Sequence, residues 1–178
     1  MIKNIFLHLN TINKHRFKVF KLCVKAGIPY RGLVHDLSKY SITEFFEGVK
    51  YYSGDHSPIQ NAKQDLGYSK AWLHHKGHNK HHPIYWYDPN APVQAPIIPY
   101  KYVVEMICDT IAAGMTYEGK NWTIDYQIEY HNKERRKIII NPKIDAVVCE
   151  VYEKIKNDGI DNALKPKELK KIYIKHVN

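Results

Sequence analysis

Apolar residues near the start of the chain recur at Ile5, Leu9, Ile12, Val19, Leu22 and Cys23, close to the period of an amphipathic helix. The spacing predicts a helix over residues 3 to 26, stopped by Gly27 and Pro29. A short helix is expected from Arg31 to Lys39. Ser41-Ile42-Thr43-Glu44 has the form of a capping box and should open a helix toward Tyr52. Ser57 and Pro58 begin another short helix, which Gly67 ends. Ser69 caps a helix that carries Trp72, His74 and His75; Gly77 weakens it and Pro83 blocks its continuation. Residues 83–99 are rich in Pro, Asn and Tyr and read as a loop, whereas 100–118 read as a strongly apolar helix. Asn141-Pro142 opens an amphipathic helix to about Lys156, and a last helix follows Pro166. The best strand candidate, Ile138-Ile139-Ile140, is short, and there is no internal repeat. The pattern predicts an all-α single domain: a helical core over residues 1–120 with a C-terminal helical extension, residues 121–178, packed on it.

Composition bounds this picture. The 178 residues, 44% hydrophobic and 25% charged, suffice for one folded domain with a sizeable core and do not read as disordered. A formal net charge of +9 favours polyanions such as nucleotides, nucleic acid or anionic lipid without choosing among them. Cys23, Cys108 and Cys149 are far apart and form no CxxC pair, so neither a zinc ribbon nor a dithiol redox motif is indicated. Each has apolar neighbours and reads as a buried free thiol, suited to a reducing compartment. No apolar run is long enough for a signal peptide or a membrane span, so a cytoplasmic protein is expected.

The candidate chemistry lies in histidines and carboxylates. Residues 74–82 read HHKGHNKHH, five histidines in nine positions, between an upstream His35-Asp36 pair and a downstream Asp109. Imidazole and carboxylate bind divalent ions of the zinc, iron, manganese and nickel group. His15 lies on the apolar stripe Ile12, Val19, Leu22 and should point inward, where a core histidine with one hydrogen bond is the plainer reading. Asp109 is the only charged residue from Met106 to Met115, and a carboxylate buried there is costly unless paired or metal-bound. Glu105, one turn earlier, could support it. Glu44 is accounted for by the capping box, and Lys39 is either solvated or meets an anionic ligand. Within 74–82, His74 or His75 should project from the helix while His81 or His82 enters from the loop; His75 and His82 are the favoured pair and His78 the least.

The order His15, His35-Asp36, 74–82, Asp109 resembles the HD superfamily of metal-dependent phosphohydrolases. The segment HDLSK is similar to the HD-x-x-K segment of its HD-GYP cyclic-dinucleotide phosphodiesterase branch, although the GYP segment itself is absent. GLVHDLSKY, GYSKAWLHHKGHNKHH and YVVEMICD look closer still to an uncharacterised family of bacteria and phages, over residues 8 to 118. The HD resemblance implies a helical bundle holding one or two divalent ions (Mn, Fe, Zn, Ni or Mg). One would be held by His15, His35, Asp36 and Asp109. Asp36 would bridge to a second, held by His75 or His74 and His82 or His81. Two ions roughly 3.5 to 4 Å apart would activate water toward a phosphate ester. Asp36 and Lys39 are then the expected catalytic residues, and the expected substrate is a phosphate-containing small molecule, nucleotide-like.

Three rivals remain at this level. Some HD-superfamily members, such as inositol oxygenase, hold di-iron and cleave carbon bonds with O₂. A nuclease or nucleic-acid binder would suit the charge, but HNH nucleases need a ββα hairpin and 74–82 reads as helix then loop. A structural zinc site would be closed and Cys-rich, and this cluster contains no cysteine.

Overall fold

The computed structural model describes residues 2–178. Helix α1 (Ile2–Lys25) buries Ile12, His15, Val19, Leu22 and Cys23 along one stripe, as the periodicity predicts. That stripe packs on α6 (Tyr100–Tyr117), whose Val103, Val104, Ile107, Cys108, Ile111 and Ala112 are almost fully buried. The other side of α6 meets α8 (Pro142–Asp158) and α10 (Pro166–Val177). On α8 the buried residues Ile144, Val147, Val148, Val151 and Ile155 keep three- and four-residue spacing. Each such side chain, fully buried, contributes about 1.5–3 kcal/mol. Residues on both sides of position 120 share this one apolar core.

The remaining elements are α2 (Pro29–Val34), α3 (Ile42–Lys50), α4 (Pro58–Leu66), α5 (Lys70–His78), α7 (Ile124–Glu134) and the short α9 (Ile160–Ala163). Among the described residues there are only helices, turns and loops, so the chain is all-α. None of these helices is long and apolar enough to cross a membrane.

Several local expectations are corrected. The helix anticipated from Arg31 to Lys39 is broken at His35-Asp36: α2 ends at Val34, Asp36 adopts a left-handed conformation (φ 52°), and a 3-10 turn runs from Leu37 to Tyr40. Arg16 shapes this break, donating to the carbonyls of His35 and Leu33 at 2.8 Å each. Gly32 lets α2 approach α1 closely, since a Cβ there would lie 2.7 Å from Cys23 Cβ and 2.9 Å from Phe20 Cα. The capping box forms only by half: Ser41 Oγ accepts from the Glu44 N–H, but the Glu44 carboxylate turns inward instead of back. Gly77 lies inside α5, which continues to His78. Helix α7 was not anticipated, and Ile138 and Ile139 are half-exposed in a turn outside any strand. Cys149 is only partly buried, with Arg135 Nη1 donating to its sulfur at 3.3 Å.

Candidate metal centre

Four stretches of chain converge beside the apolar core. Helix α1 supplies His15, the break after α2 supplies His35 and Asp36, α5 and the loop after it supply His75, His81 and His82, and α6 supplies Asp109. Their donor atoms form two groups sharing Asp36: His15, His35, Asp36, Asp109, and Asp36, His75, His81, His82, each with its donors within 4.8 Å of one another. In the first group His15 Nε2 lies 3.0 Å and His35 Nε2 3.3 Å from Asp109 Oδ1, and His35 Nε2 is 3.3 Å from Asp36 Oδ2. In the second, Asp36 Oδ1 lies 3.4 Å from His75 Nε2 and 3.5 Å from His81 Nε2. Asp36 thus turns one oxygen toward each group. A divalent ion bonded at about 2.1 Å to each ligand spaces those ligands about 3 to 3.4 Å apart, which is the separation found.

The back of the centre is built from carboxylates. Glu105 Oε1 lies 3.1 Å from His35 Nδ1 and 3.3 Å from His81 Nδ1, while Arg31 Nε donates to Glu105 Oε2 at 2.7 Å. On α3, Glu44 accepts from His75 Nδ1 at 2.7 Å and His74 Nδ1 at 2.6 Å. One turn on, Glu47 accepts from the backbone N–H groups of Lys70 and Ala71, closing the start of α5. An ionised carboxylate only accepts, so these contacts favour the proton on Nδ1, and in His35 and His75 they turn Nε2 to the centre.

Burial opposes charge on every group here, and the neighbours decide the outcome. For Asp36 the surrounding His35, Lys39 and His75 outweigh burial and hold the carboxyl well below its ordinary range. Asp109 is held down in the same way by His15, His35 and His81. Glu105, against its burial, is drawn down to about 2 by His35, His81 and Arg31. In turn Asp36, Asp109 and Glu105 outweigh the burial of His35 and raise its imidazole well above the usual value; the proton so held on Nε2 is the one an ion there would displace. Lys39 Nζ, 2.7 Å from Asp36 Oδ2, stays protonated above its ordinary range despite burial. His82, buried beside His81 and His75, is pushed well below its ordinary value and is neutral.

Among the described residues, seven buried polar atoms lack a hydrogen-bond partner: His8 Nδ1 and His81 Nδ1, and the five centre-facing atoms His15 Nε2, His35 Nε2, Asp36 Oδ1, His81 Nε2 and His82 Nε2. These last five belong to residues of the two groups, whereas His8 does not. An unsatisfied buried group costs about 1–3 kcal/mol; five together would consume much of a typical domain's stability of about 5–15 kcal/mol. The donor set, its spacing and these orphaned atoms fit a metal ion, so the buried His/Asp cluster can hold one. Lys39, 28% exposed, and Asp109, 14% exposed, mark where the cluster meets solvent. A surface groove of ≈ 610 Å³ between Lys18, Lys25 and Asp161 contains none of these ligands.

The structure therefore gathers the expected His15, His35, Asp36, His75, His82 and Asp109. It adds His81, which the sequence offered only as an alternative to His82. His74 is not gathered: one step along α5 from His75, it points about 100° away, pairs with Glu44 and stacks on His78 with ring centroids 4.0 Å apart. Glu44 was missed as a histidine anchor because a capping glutamate and an anchoring glutamate look alike in sequence. Its position eight residues after Asp36 carries no distinguishing signal.

No curated protein and no solved structure matches this chain. A family model does match, over residues 4–154, a span that includes every residue of the centre. On that match the chain belongs to a family of unknown function, DUF5662.

Proposed function

We propose that the protein is a metal-dependent phosphohydrolase of the HD type, acting on a phosphate-containing small molecule such as a nucleotide at a centre with two ion positions joined by Asp36. The observation that carries this reading is the convergence of five orphaned donor atoms on two adjoining positions. Divalent ions bound there would supply Lewis acidity toward a phosphoryl oxygen and activate water near neutral pH.

The chain's own residues do the rest. Asp36, held in a left-handed turn between two histidine sets, keeps its two oxygens apart for the two positions. Lys39 is charged throughout the working pH range and lies at the solvent-facing side, where a substrate phosphate enters. It binds phosphoryl oxygen as a point charge. Asp109, also at that side, completes the first position beside His15 and His35. The overall charge of +9 favours encounter with anions.

The test combines metal analysis of the purified protein with phosphodiesterase and nucleotidase assays in Mn²⁺, Fe²⁺, Zn²⁺, Ni²⁺ or Mg²⁺. Wild type should bind divalent metal and hydrolyse at least one phosphate ester, and Asp36→Ala should lose both properties. A protein that binds no divalent metal, or binds it and turns over no phosphate ester, defeats the proposal. Iron with visible absorption and oxygen-dependent turnover of a phosphate-free substrate would instead favour an oxygenase.

A further inference from the structure

One carboxylate oxygen serves both halves of the centre. Glu105 Oε1 lies within 3.3 Å of both His35 Nδ1 and His81 Nδ1, and these rings turn their Nε2 atoms to the first and second groups respectively. The two rings are neighbours, with centroids 4.5 Å apart. Glu105 is completely buried, and its other oxygen is taken by Arg31. Arg31 is itself held by the Tyr102 ring, 4.9 Å from its guanidinium carbon. By contrast, Glu44 anchors a ligand of the second group only, His75.

Resting on the two-position reading above, we propose that Glu105 is a positioning residue that couples the two ion positions. With Oε1 accepting from His35 Nδ1–H at 3.1 Å and lying 3.3 Å from His81 Nδ1, it favours in one imidazole of each position the tautomer whose Nε2 lone pair is free to ligate. Losing that acceptor therefore weakens both positions at once, whereas losing Glu44 weakens one.

Glu105→Gln separates this role from packing. Glutamine has nearly the same shape but one acceptor and one donor end. Arg31 offers only donors, so the amide oxygen turns to Arg31 and the NH₂ faces the imidazoles. Both Nδ1 atoms must then accept, and the proton moves to Nε2, where a ligand lone pair is needed. Removing the constraint with Arg31→Met in the same chain lets the amide turn over and present its oxygen to the histidines.

The experiment titrates the chelator-stripped full chain with Zn²⁺ by calorimetry and with Co²⁺ by visible absorption. Wild type should take up two equivalents. Glu105→Gln should lose about 10- to 100-fold in affinity at both, the usual range for loss of an outer hydrogen-bond partner. Glu44→Gln should weaken one equivalent, and Arg31→Met/Glu105→Gln should bind at least several-fold more tightly than Glu105→Gln. The proposal is overturned by wild-type affinity in Glu105→Gln, by a loss confined to one equivalent, or by a double variant no tighter than the single one. A wild type that binds no ion overturns this proposal and the functional reading together, while two ions in wild type with an unaffected Glu105→Gln overturns this proposal alone. Should Glu105→Gln fail to fold, ¹⁵N NMR of zinc-loaded wild type decides: His35 and His81 should both carry hydrogen on Nδ1, and Nε2–H on either refutes the coupling.

Discussion

Gly48→Ala probes how α3, which carries Glu44 and Glu47, is seated against α1. Gly48 is in the interior of α3 and faces His8, so a Cβ added there would lie 2.2 Å from His8 Nε2, 2.7 Å from Cε1 and 3.0 Å from Cδ2. The ring has little room to retreat. Phe45 and Tyr52 lie on it with centroids at 5.6 Å each, and the Tyr52 hydroxyl is fixed by a 2.8 Å hydrogen bond with Thr11. Helix preference alone would make alanine better than glycine by about 0.5–1 kcal/mol. Overpacking a filled site costs about 1–3 kcal/mol, so the clash wins and the net loss should be about 0.5–2 kcal/mol. For a chain of this size that lowers the melting temperature by roughly 1–8 °C. The assay is urea unfolding of wild type, Gly48→Ala, His8→Ala and the double variant. With the His8 ring gone the alanine methyl fits, so Gly48→Ala made in the His8→Ala background should be neutral or stabilising. If Gly48→Ala is as stable as wild type, or the two substitutions are additive, His8 does not fill the space against Gly48 and the seating of α3 described above is wrong.

Three further outcomes follow from the same geometry. The His8 imidazole is lowered to about 4, by burial first and by Lys39 second, so its contribution is complete above the unfolded value near 6.5 and is lost as pH falls toward 4. Partial solvation reduces the ceiling of about 3 kcal/mol to about 1–2 kcal/mol; the stability difference between wild type and His8→Leu should shrink by that amount from pH 7 to 4.5 in urea melts, and a pH-independent difference would contradict it. His74→Ala should retain the full metal equivalents of wild type while His81→Ala loses about one, by elemental analysis after gel filtration; equal losses would place His74 in the centre after all. Chelation should speed amide exchange across residues 29–86 far more than in α6, α8 and α10, and uniform exchange would argue against the polar centre as the tie for that segment.

How much of this was readable beforehand depends on what each residue answers to. The stripe on α1 and the lone charge in α6 were legible because a helix repeats every 3.6 residues and burial selects side chains at that spacing. His15 and Asp109 are placed by those two rules alone. The His35-Asp36 break was not legible: Pro29 marks where α2 starts, but the turn at Asp36 is held by a distant partner, Arg16 on the Leu33 and His35 carbonyls, as well as by the local Lys39 on the carboxylate. Within 74–82 the inward choice of His75 over His74 is fixed by the rotation of α5, which Glu47 and Ser69 set from outside the motif. Both His81 and His82 enter because they follow the end of α5, in a turn free of helical periodicity. Helix α7 was missed because its apolar face is thin, with Ile124 and Ile128 only partly buried, and it is held largely by His131 and Arg135 on Asp145.

The division of labour between apolar and polar contacts explains why chelation should act locally. The apolar core draws its buried residues from α1, α6, α8, α9 and α10 and their flanks; from 27 to 97 only the partly buried Ile28, Trp86 and Ile97, at the two ends of that segment, pack against it. Across that segment the buried apolar side chains are few and small, Val49, Pro58, Ala62 and Ala71, whereas His35, Asp36, Glu44, Ser69, His75, Asn79 and His81 are buried polar groups. Hydrophobic transfer of these small side chains, with Ile28, Trp86 and Ile97 half-buried at the ends, is a weak tether for the α2 to α5 stretch between them. The segment is instead tied to the core through His15 and Asp109 on one side and His35, Asp36, His75, His81 and His82 on the other. In a metal-free chain that tie consists of strained, partly unsatisfied ion pairs, and a buried charge cluster gives little net stability when its desolvation is counted. A bound ion replaces the orphaned donors with ligand bonds and stabilises the folded form by its binding free energy. The ion is therefore expected to be the principal fastening of α2 to α5 on the helical core, and the centre's order and the segment's order should rise and fall together.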